Sequence, residues 1–166
     1  MTGPIPQPGP PTAVLALGSN LGDRLARLRA AVRALRALAM SEVYETTPVG
    51  GPDQDNYLNA VVLVPAAPAR ALLAAVRSAE GAASRVRTVR WGPRSLDVDV
   101  IACGELVSDD PEILIPHPRA HTRAFVCVPW LDVDPDAVLP GHGRVADLVV
   151  GLDASGVHRT PWSLRR

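Results

Sequence analysis

Two carboxylates, Asp97 and Asp99, stand two residues apart inside the apolar run Leu96 to Cys103. On a strand, positions i and i+2 point to the same face, so both carboxylates point one way while Leu96, Val98 and Val100 point the other. Like charges this close repel, and a cation between or above them relieves the cost. Oxygen donors of this kind suit Mg²⁺, which keeps several waters and takes further ligands from phosphate. Directly ahead lie Arg85, Arg87, Arg90 and Arg94. Guanidinium groups are planar, always charged and bidentate toward phosphate oxygens. An arginine loop facing a carboxylate–Mg²⁺ pair fits transfer of a polyphosphate group, where positioning, charge neutralisation and water exclusion supply the rate.

Tyr57 and Asn59 share one face of a second strand, and Trp91 and Phe125 are available elsewhere among only six aromatic residues. Such rings beside polar loop residues suit stacking around a planar heterocycle, with the Asn59 amide supplying both a donor and an acceptor. Ordinary core aromatics would give the same pattern. His117 and His121 have the i, i+4 spacing of a metal pair, but Pro118 argues against a regular helix through His117. Hydrogen-bonding roles in a loop fit them better.

Composition removes several alternatives. All 17 basic residues are Arg, so a Walker A loop, Schiff-base chemistry and a kinase-type lysine are excluded. Seventeen acidic residues balance them, which argues against a generic nucleic-acid binder. The longest apolar runs, such as Val61–Val64, fall far short of the roughly 20 residues of a membrane span. Cys103 and Cys127 fit no zinc or redox spacing and read as buried thiols in a reducing cytoplasm. Residues 1–11 carry five prolines and no signal-peptide pattern, and read as a disordered, partly polyproline-like tail.

The elements that must position these residues follow from periodicity. Ala13–Leu17 reads as a first strand, and 18–23 as a turn with Asp23 as helix N-cap. Leu25, Leu28, Val32 and Leu35 predict a helix over 24–38, whose arginines form either a docking surface or a solvated face. A strand over Met40–Thr46, a Pro/Gly-rich loop over 47–56 and a strand over Tyr57–Val64 come next. A helix over Ala69–Ala83, the arginine loop over 84–94 and the strand from Leu96 to Cys103 complete the series. The order β-α-β-β-α-β is the ferredoxin-like arrangement, an α+β fold with an antiparallel sheet and two helices on one face. Beyond it, Leu106–Val107 suggests a short strand, 116–130 a loop leading into a helix, 144–150 a last helical turn or two, and 160–166 a loose tail. The expected organisation is a tail over 1–11, one domain over 12–152 and a tail over 153–166.

The run Arg90-Trp91-Gly92-Pro93-Arg94-Ser95-Leu96-Asp97-Val98-Asp99-Val100-Ile101 resembles the signature of the 6-hydroxymethyl-7,8-dihydropterin pyrophosphokinase family. Ala16–Gly22, Tyr57–Ala60 and Ile115–Pro118 resemble three further blocks of that family, in the same order. The resemblance covers roughly residues 13–150. It implies transfer of pyrophosphate from ATP to the hydroxymethyl oxygen of the reduced pterin, with release of AMP, in folate biosynthesis. It also implies two Mg²⁺ ions held by Asp97 and Asp99, and Arg85 and Arg94 acting on the transferring phosphates. Thr46, Val49, Tyr57, Asn59 and Phe125 match pterin contacts. Arg87, Val100, His117 and Arg123 match ATP contacts, and Glu80 matches an acid that approaches the nucleotide. Trp91 matches a loop tryptophan that closes over both substrates. Thr47 stands where proline is common. The loops 47–56 and 84–94 are expected to move together over the substrates, and the enzyme to be a cytoplasmic monomer without nucleic-acid or membrane partners.

Two readings compete with this one. A non-catalytic ferredoxin-like ligand-binding module would not need Arg85, Arg94, Asp97 and Asp99 together. A different Mg²⁺-dependent phosphoryl transferase would not need Tyr57, Asn59 and Phe125, and would release ADP.

Overall fold

Three segments are apolar almost without interruption because the strands they form are covered on both faces. They are β1 (Thr12–Ser19), β4 (Tyr57–Pro65) and β5 (Asp97–Cys103). The computed structural model describes residues 9–83 and 95–165. Between and after those strands come α1 (Arg24–Ala34), β2 (Ala39–Met40), β3 (Tyr44–Thr46), α2 (Ala69–Ala82) and α3 (Ala124–Val133). A hairpin of β6 (Val138–Leu139) and β7 (Gly143–Arg144) leads to α4 (Val145–Val150) and β8 (Val157–Arg159). The main sheet is antiparallel in the order β5-β1-β4-β3-β8, with β2 also pairing to β4. Its first four strands carry the ferredoxin-like βαββαβ connection that the sequence implies.

The α1 and α2 stripes close one core with Leu15, Leu17, Leu58, Val62, Val98 and Val100. The sequence places two helices on one face and leaves the other uncovered. In the structure α3 and α4 cover that second face, where Trp130, Val126 and Val145 pack on Val14, Val61 and Ile101.

Two one-residue register shifts decide which side chains face α3. On β5, Ala102 lies opposite Val14 but Val100 lies opposite Leu15, so Ile101 is an extra residue. Strict alternation inward from Cys103, which faces α1 and α2, would point Asp97 and Asp99 into that core; the bulge turns them to the α3 face. On the other side of the sheet, Met40 pairs with Val62 and Tyr44 with Asn59, so three residues stand against two. Ser41 makes this bulge. Its backbone N–H donates to Val61 O at 2.8 Å, and its Oγ accepts the Val61 N–H at 2.9 Å. The strand expected over Met40–Thr46 is therefore two strands, and Tyr44 and Thr46 join the face of Asn59 and Tyr57.

Helix α1 also stops short of residue 38. Arg36 adopts φ 55°, and the Ala37 N–H donates to Val32 O while the Arg36 N–H donates to Arg33 O, a Schellman closure without glycine. At its start Asp23 caps the helix as expected, accepting the Ala26 N–H at 3.1 Å. No strand forms at Leu106–Val107, where Ser108 and Ile115 make a single bridge.

The C-terminal residues correct the expectation of a tail. Strand β8 extends the sheet on β3, with Thr46 opposite Val157 and Tyr44 opposite Arg159. The Thr160 N–H and Oγ1 both donate to Val43 O, and the Arg29 guanidinium donates twice to Ser163 O. Leu164 then reaches the α1/α2 core at 5% exposure. The arginines of this segment thus divide: Arg24 and Arg29 hold other segments of the chain, Arg27 is half-buried, and Arg33 and, past the end of α1, Arg36 face solvent. Expected outcome: Leu164→Ala lowers unfolding free energy by about 2 kcal/mol or more, as for a core leucine. Urea unfolding checks this, and a loose tail would give less than about 0.5 kcal/mol.

Candidate active site

Strand order and register bring the candidate residues to one end of the sheet, on the face that α3 covers. Gly18 lies opposite Asn59 on one side and Asp97 on the other. Asn59 in turn lies opposite Tyr44, and Thr46 lies opposite Tyr57. The next row inward places Asp99 opposite Ala16. The carboxylate pair and the residues suited to a planar ring are thus two strands apart on one surface, roughly 10 Å across the sheet.

Each half is held in place. Asn59, 7% exposed, donates its side-chain Nδ2 to Thr46 Oγ1, which fixes the amide in its plane. Tyr44 donates its hydroxyl to Asp132 Oδ2 at 2.8 Å, and the Glu42 N–H donates to the same oxygen, which ties α3 to the start of β3. Burial, reinforced by the bond to Asp132, pushes the Tyr44 hydroxyl up to about 12. It stays protonated and structural. On the other half, Glu80 Oε1 accepts the Val98 N–H at 3.0 Å. Val98 sits between the two aspartates on the edge strand, so the last turn of α2 fixes the strand that carries them.

Arg123 enters from the start of α3. Its Nη1 lies 3.5 Å from Asp99 Oδ2, and its guanidinium carbon lies 5.5 Å from the Phe125 ring centroid. The Arg123 side chain is 18% exposed; burial pulls its pKa below the ordinary range, and Asp99 opposes that pull. It thus links the carboxylate pair to the aromatic side of the site by an ion pair and a cation–π contact.

His117 is fixed by the backbone. Its N–H donates to Ile101 O at 2.8 Å, and its Nδ1 accepts the Arg119 N–H at 3.1 Å. A ring nitrogen that accepts an N–H carries no proton, so the neutral ring carries its proton on Nε2 and offers a donor there. Burial, with Arg123 and Arg119 nearby, lowers the His117 pKa to about 4 against an opposing pull from Asp97. His121 goes elsewhere: its ring stacks on His142 at 3.9 Å. The hydrogen-bonding loop role expected for both holds for His117; His121 lies in a short 3-10 turn, Ala120–Thr122, with its Nδ1 buried and, among the described residues, without a hydrogen-bond partner.

The loop 47–56 has fixed stems. Asn20 donates to Gln54 Oε1 and Asp55 O, and Arg24 donates to Asn56 O. At the other stem the Thr47 N–H donates to Gly156 O, and a Cβ on Gly156 would lie 2.3 Å from Thr47 Oγ1. Val49 stands between the stems at 75% exposure. A polar cavity of about 480 Å³, lined by residues that include Asn20, Arg24, Glu45 and Gln54, opens beside this loop rather than over the carboxylates.

One expectation needs correcting. The Val100 side chain is 4% exposed in the α1/α2 core, so it faces away from the site and can offer a nucleotide only its backbone. Arg85, Arg87, Trp91 and Arg94 lie outside the described residues. Sequence reasoning missed Gly18, read there as the start of a turn, and Asp132. A glycine on the polar end of an otherwise apolar strand was the available signal for the first; the second had none.

The donor set fits Mg²⁺. Two carboxylates face one way on β5. Such a pair leaves the remaining positions to water and phosphate, as Mg²⁺ prefers.

Residues 14–135 match the family model of 7,8-dihydro-6-hydroxymethylpterin-pyrophosphokinase. The chain belongs to this family. Similar relatives are pyrophosphokinases named for 2-amino-4-hydroxy-6-hydroxymethyldihydropteridine. That of Mycobacterium leprae is 48% identical in an alignment 145 residues long that covers 79% of this chain and 76% of that one. That of Methylorubrum extorquens is 41% identical in an alignment 154 residues long that covers 89% of this chain and 97% of that one. Among solved structures, wild-type Plasmodium falciparum HPPK-DHPS with pteroate superposes at a TM-score of 0.65. At 12% identity that likeness speaks for the fold alone; it covers 85% of this chain and 44% of the Plasmodium chain. Membership makes the protein a pyrophosphokinase, with the ferredoxin-like fold of the family. Among the described residues no helix is long and apolar enough to cross a membrane.

The histidine supplies a pH test. Between about pH 6.5 and 4 the unfolded chain takes up a proton at His117 that the folded chain does not. The fold is spared that cost above about pH 6.5 and loses stability progressively as pH falls toward 4. Expected outcome: the His117 ring resonances stay those of the neutral Nε2–H form from pH 8 to 5. In His117→Gln the fall of unfolding free energy over this range becomes shallower.

Proposed function

We propose that the protein transfers the terminal pyrophosphoryl group of ATP to the hydroxymethyl oxygen of 6-hydroxymethyl-7,8-dihydropterin, releasing AMP, as a step of folate biosynthesis. The observation that carries this reading is the row Asp97–Gly18–Asn59, which sets a carboxylate pair beside a planar-ring reader on one face of the sheet.

In this reading Asn59 reads the pterin edge, Tyr57 and Phe125 stack on the ring, and the backbone near Thr46 and Val49 completes the pocket. Asp97 and Asp99 hold two Mg²⁺ ions, which when bound neutralise charge on the phosphates and lower the pKa of the attacking hydroxyl. The alcohol oxygen forms a bond to the β-phosphorus, the bond from that phosphorus to the α-phosphate oxygen breaks, and AMP departs with that oxygen. Arg123 and the Nε2–H of His117 bind the nucleotide, with Glu80 keeping the β5 edge in register. Arg85, Arg87 and Arg94 neutralise the phosphates from the arginine loop, and Trp91 closes over the ring. Asp97 assists removal of the hydroxyl proton. The protein works as a cytoplasmic monomer; its two buried thiols form no disulfide, which suits a reducing compartment.

The test incubates the protein with ATP, Mg²⁺ and 6-hydroxymethyl-7,8-dihydropterin and resolves AMP from ADP by chromatography. AMP formation that requires both pterin and Mg²⁺ is expected. ADP would indicate an ordinary phosphoryl transferase, and binding without turnover a ligand-binding module. Asp97→Ala and Asp99→Ala are each expected to lower kcat at least about a hundredfold, the scale on which removal of one charge-stabilising group acts. Near-normal turnover in either would contradict its assignment as a metal ligand.

A further inference from the structure

We infer that Gly18 is a positioning residue for the pterin: its missing side chain is the space into which the Asn59 amide and the Tyr57 ring are set. This inference rests on the proposed function for the identity of the ligand, and on the structure for the contact. Gly18 occupies the central strand β1 between Asn59 and Asp97. A Cβ built there would lie 2.7 Å from Asn59 Oδ1, closer than carbon and oxygen tolerate, and 3.4 Å from Tyr57 Cδ1. The third nearest atom, at 3.8 Å, is also on the Tyr57 ring.

The Asn59 amide has little freedom to move away. Its Nδ2 donates to Thr46 Oγ1, and the residue is 7% exposed. A side chain at position 18 would therefore break that bond or tilt the amide plane, and an amide reads a heterocycle edge only in the correct plane. The three nearest atoms belong to Asn59 and Tyr57, none to Asp97 or Asp99. The effect is thus confined to the ring half of the site. Gly18 also leaves open the strip between the two halves, which a carbinol arm must cross from Asn59 to Asp97. The glycine is held there by close approach; no positive φ is involved.

The experiment compares wild type, Gly18→Ala, Asn59→Ala and the double variant. Gly18→Ala is expected to raise the pterin KM at least about tenfold, the scale on which a misaligned buried polar contact discriminates. The affinity for Mg²⁺ with a non-hydrolysable ATP analogue should stay within about twofold. In the Asn59→Ala background the same substitution should add less than about threefold, because the atom it strikes is gone. An unchanged pterin KM would overturn the inference. So would equal losses of pterin and nucleotide binding with a lowered Tm, which would make Gly18 a packing residue only. NMR of the ligand-free protein reads the contact independently: the Asn59 side-chain amide and Tyr57 ring resonances must shift in Gly18→Ala, and if they do not, the inference falls whatever the kinetics. A wild type that makes no pterin-dependent AMP would contradict the proposed function instead, and leaves the NMR result to decide the contact.

Discussion

The site depends on two one-residue bulges that flank the central pair of strands. Side chains alternate with period two, so a single extra residue exchanges the buried and presented faces of everything beyond it. The extra Ile101 on β5 turns Asp97 and Asp99 away from the α1/α2 core. The extra residue near Ser41 turns Tyr44 and Thr46 the same way on the opposite side. Between them β1 and β4 pair in unbroken register from Thr12–Pro65 to Ser19–Leu58. The carboxylate pair and the face that carries Asn59 and Tyr57 are thereby set side by side. The two bulges are held differently: Ile101 is fully buried, packed on the α3 side, whereas the Ser41 hydroxyl accepts the Val61 N–H and donates to Glu42 O.

Electrostatics then divides the site. The carboxylates repel one another, and Arg123 partly offsets that repulsion at Asp99. Arg123 leans on Phe125, so the same side chain borders both halves. His117 lies beyond them as a neutral donor, its proton located by the Arg119 backbone and its charged form disfavoured by burial and two arginines. A neutral donor can approach phosphate oxygens without competing with the carboxylates for a proton.

Much of this was legible in the sequence because it depends on local spacing. The pattern of Asp97 and Asp99 against Leu96, Val98 and Val100 shows both faces of β5, and Tyr57, Asn59, Val61 and Leu63 show one face of β4. The βαββαβ order follows from periodicity alone. The bulges were not legible, because Ser41 and Ile101 are ordinary strand residues whose extra count appears only against a partner strand. The tail over 153–166 was misread for a related reason. Val157–Arg159 is too short to show periodicity, and its pairing to β3 is a contact across the whole chain. Thr47 at the position where proline is common makes sense beside it, since Thr47 donates its N–H to Gly156 O and proline has none to give.

In the proposed function one face of the sheet holds both substrates, with the ring over β4 and the phosphates over β5. A crystal structure with Mg²⁺, a non-hydrolysable ATP analogue and 6-hydroxymethylpterin tests it most directly. The expected complex has the pterin edge on the Asn59 amide, the metal on Asp97 and Asp99, and the carbinol arm lying across Gly18. A pterin seated instead in the polar cavity between Asn20, Arg24 and Gln54, or a metal bound away from the two aspartates, would contradict it.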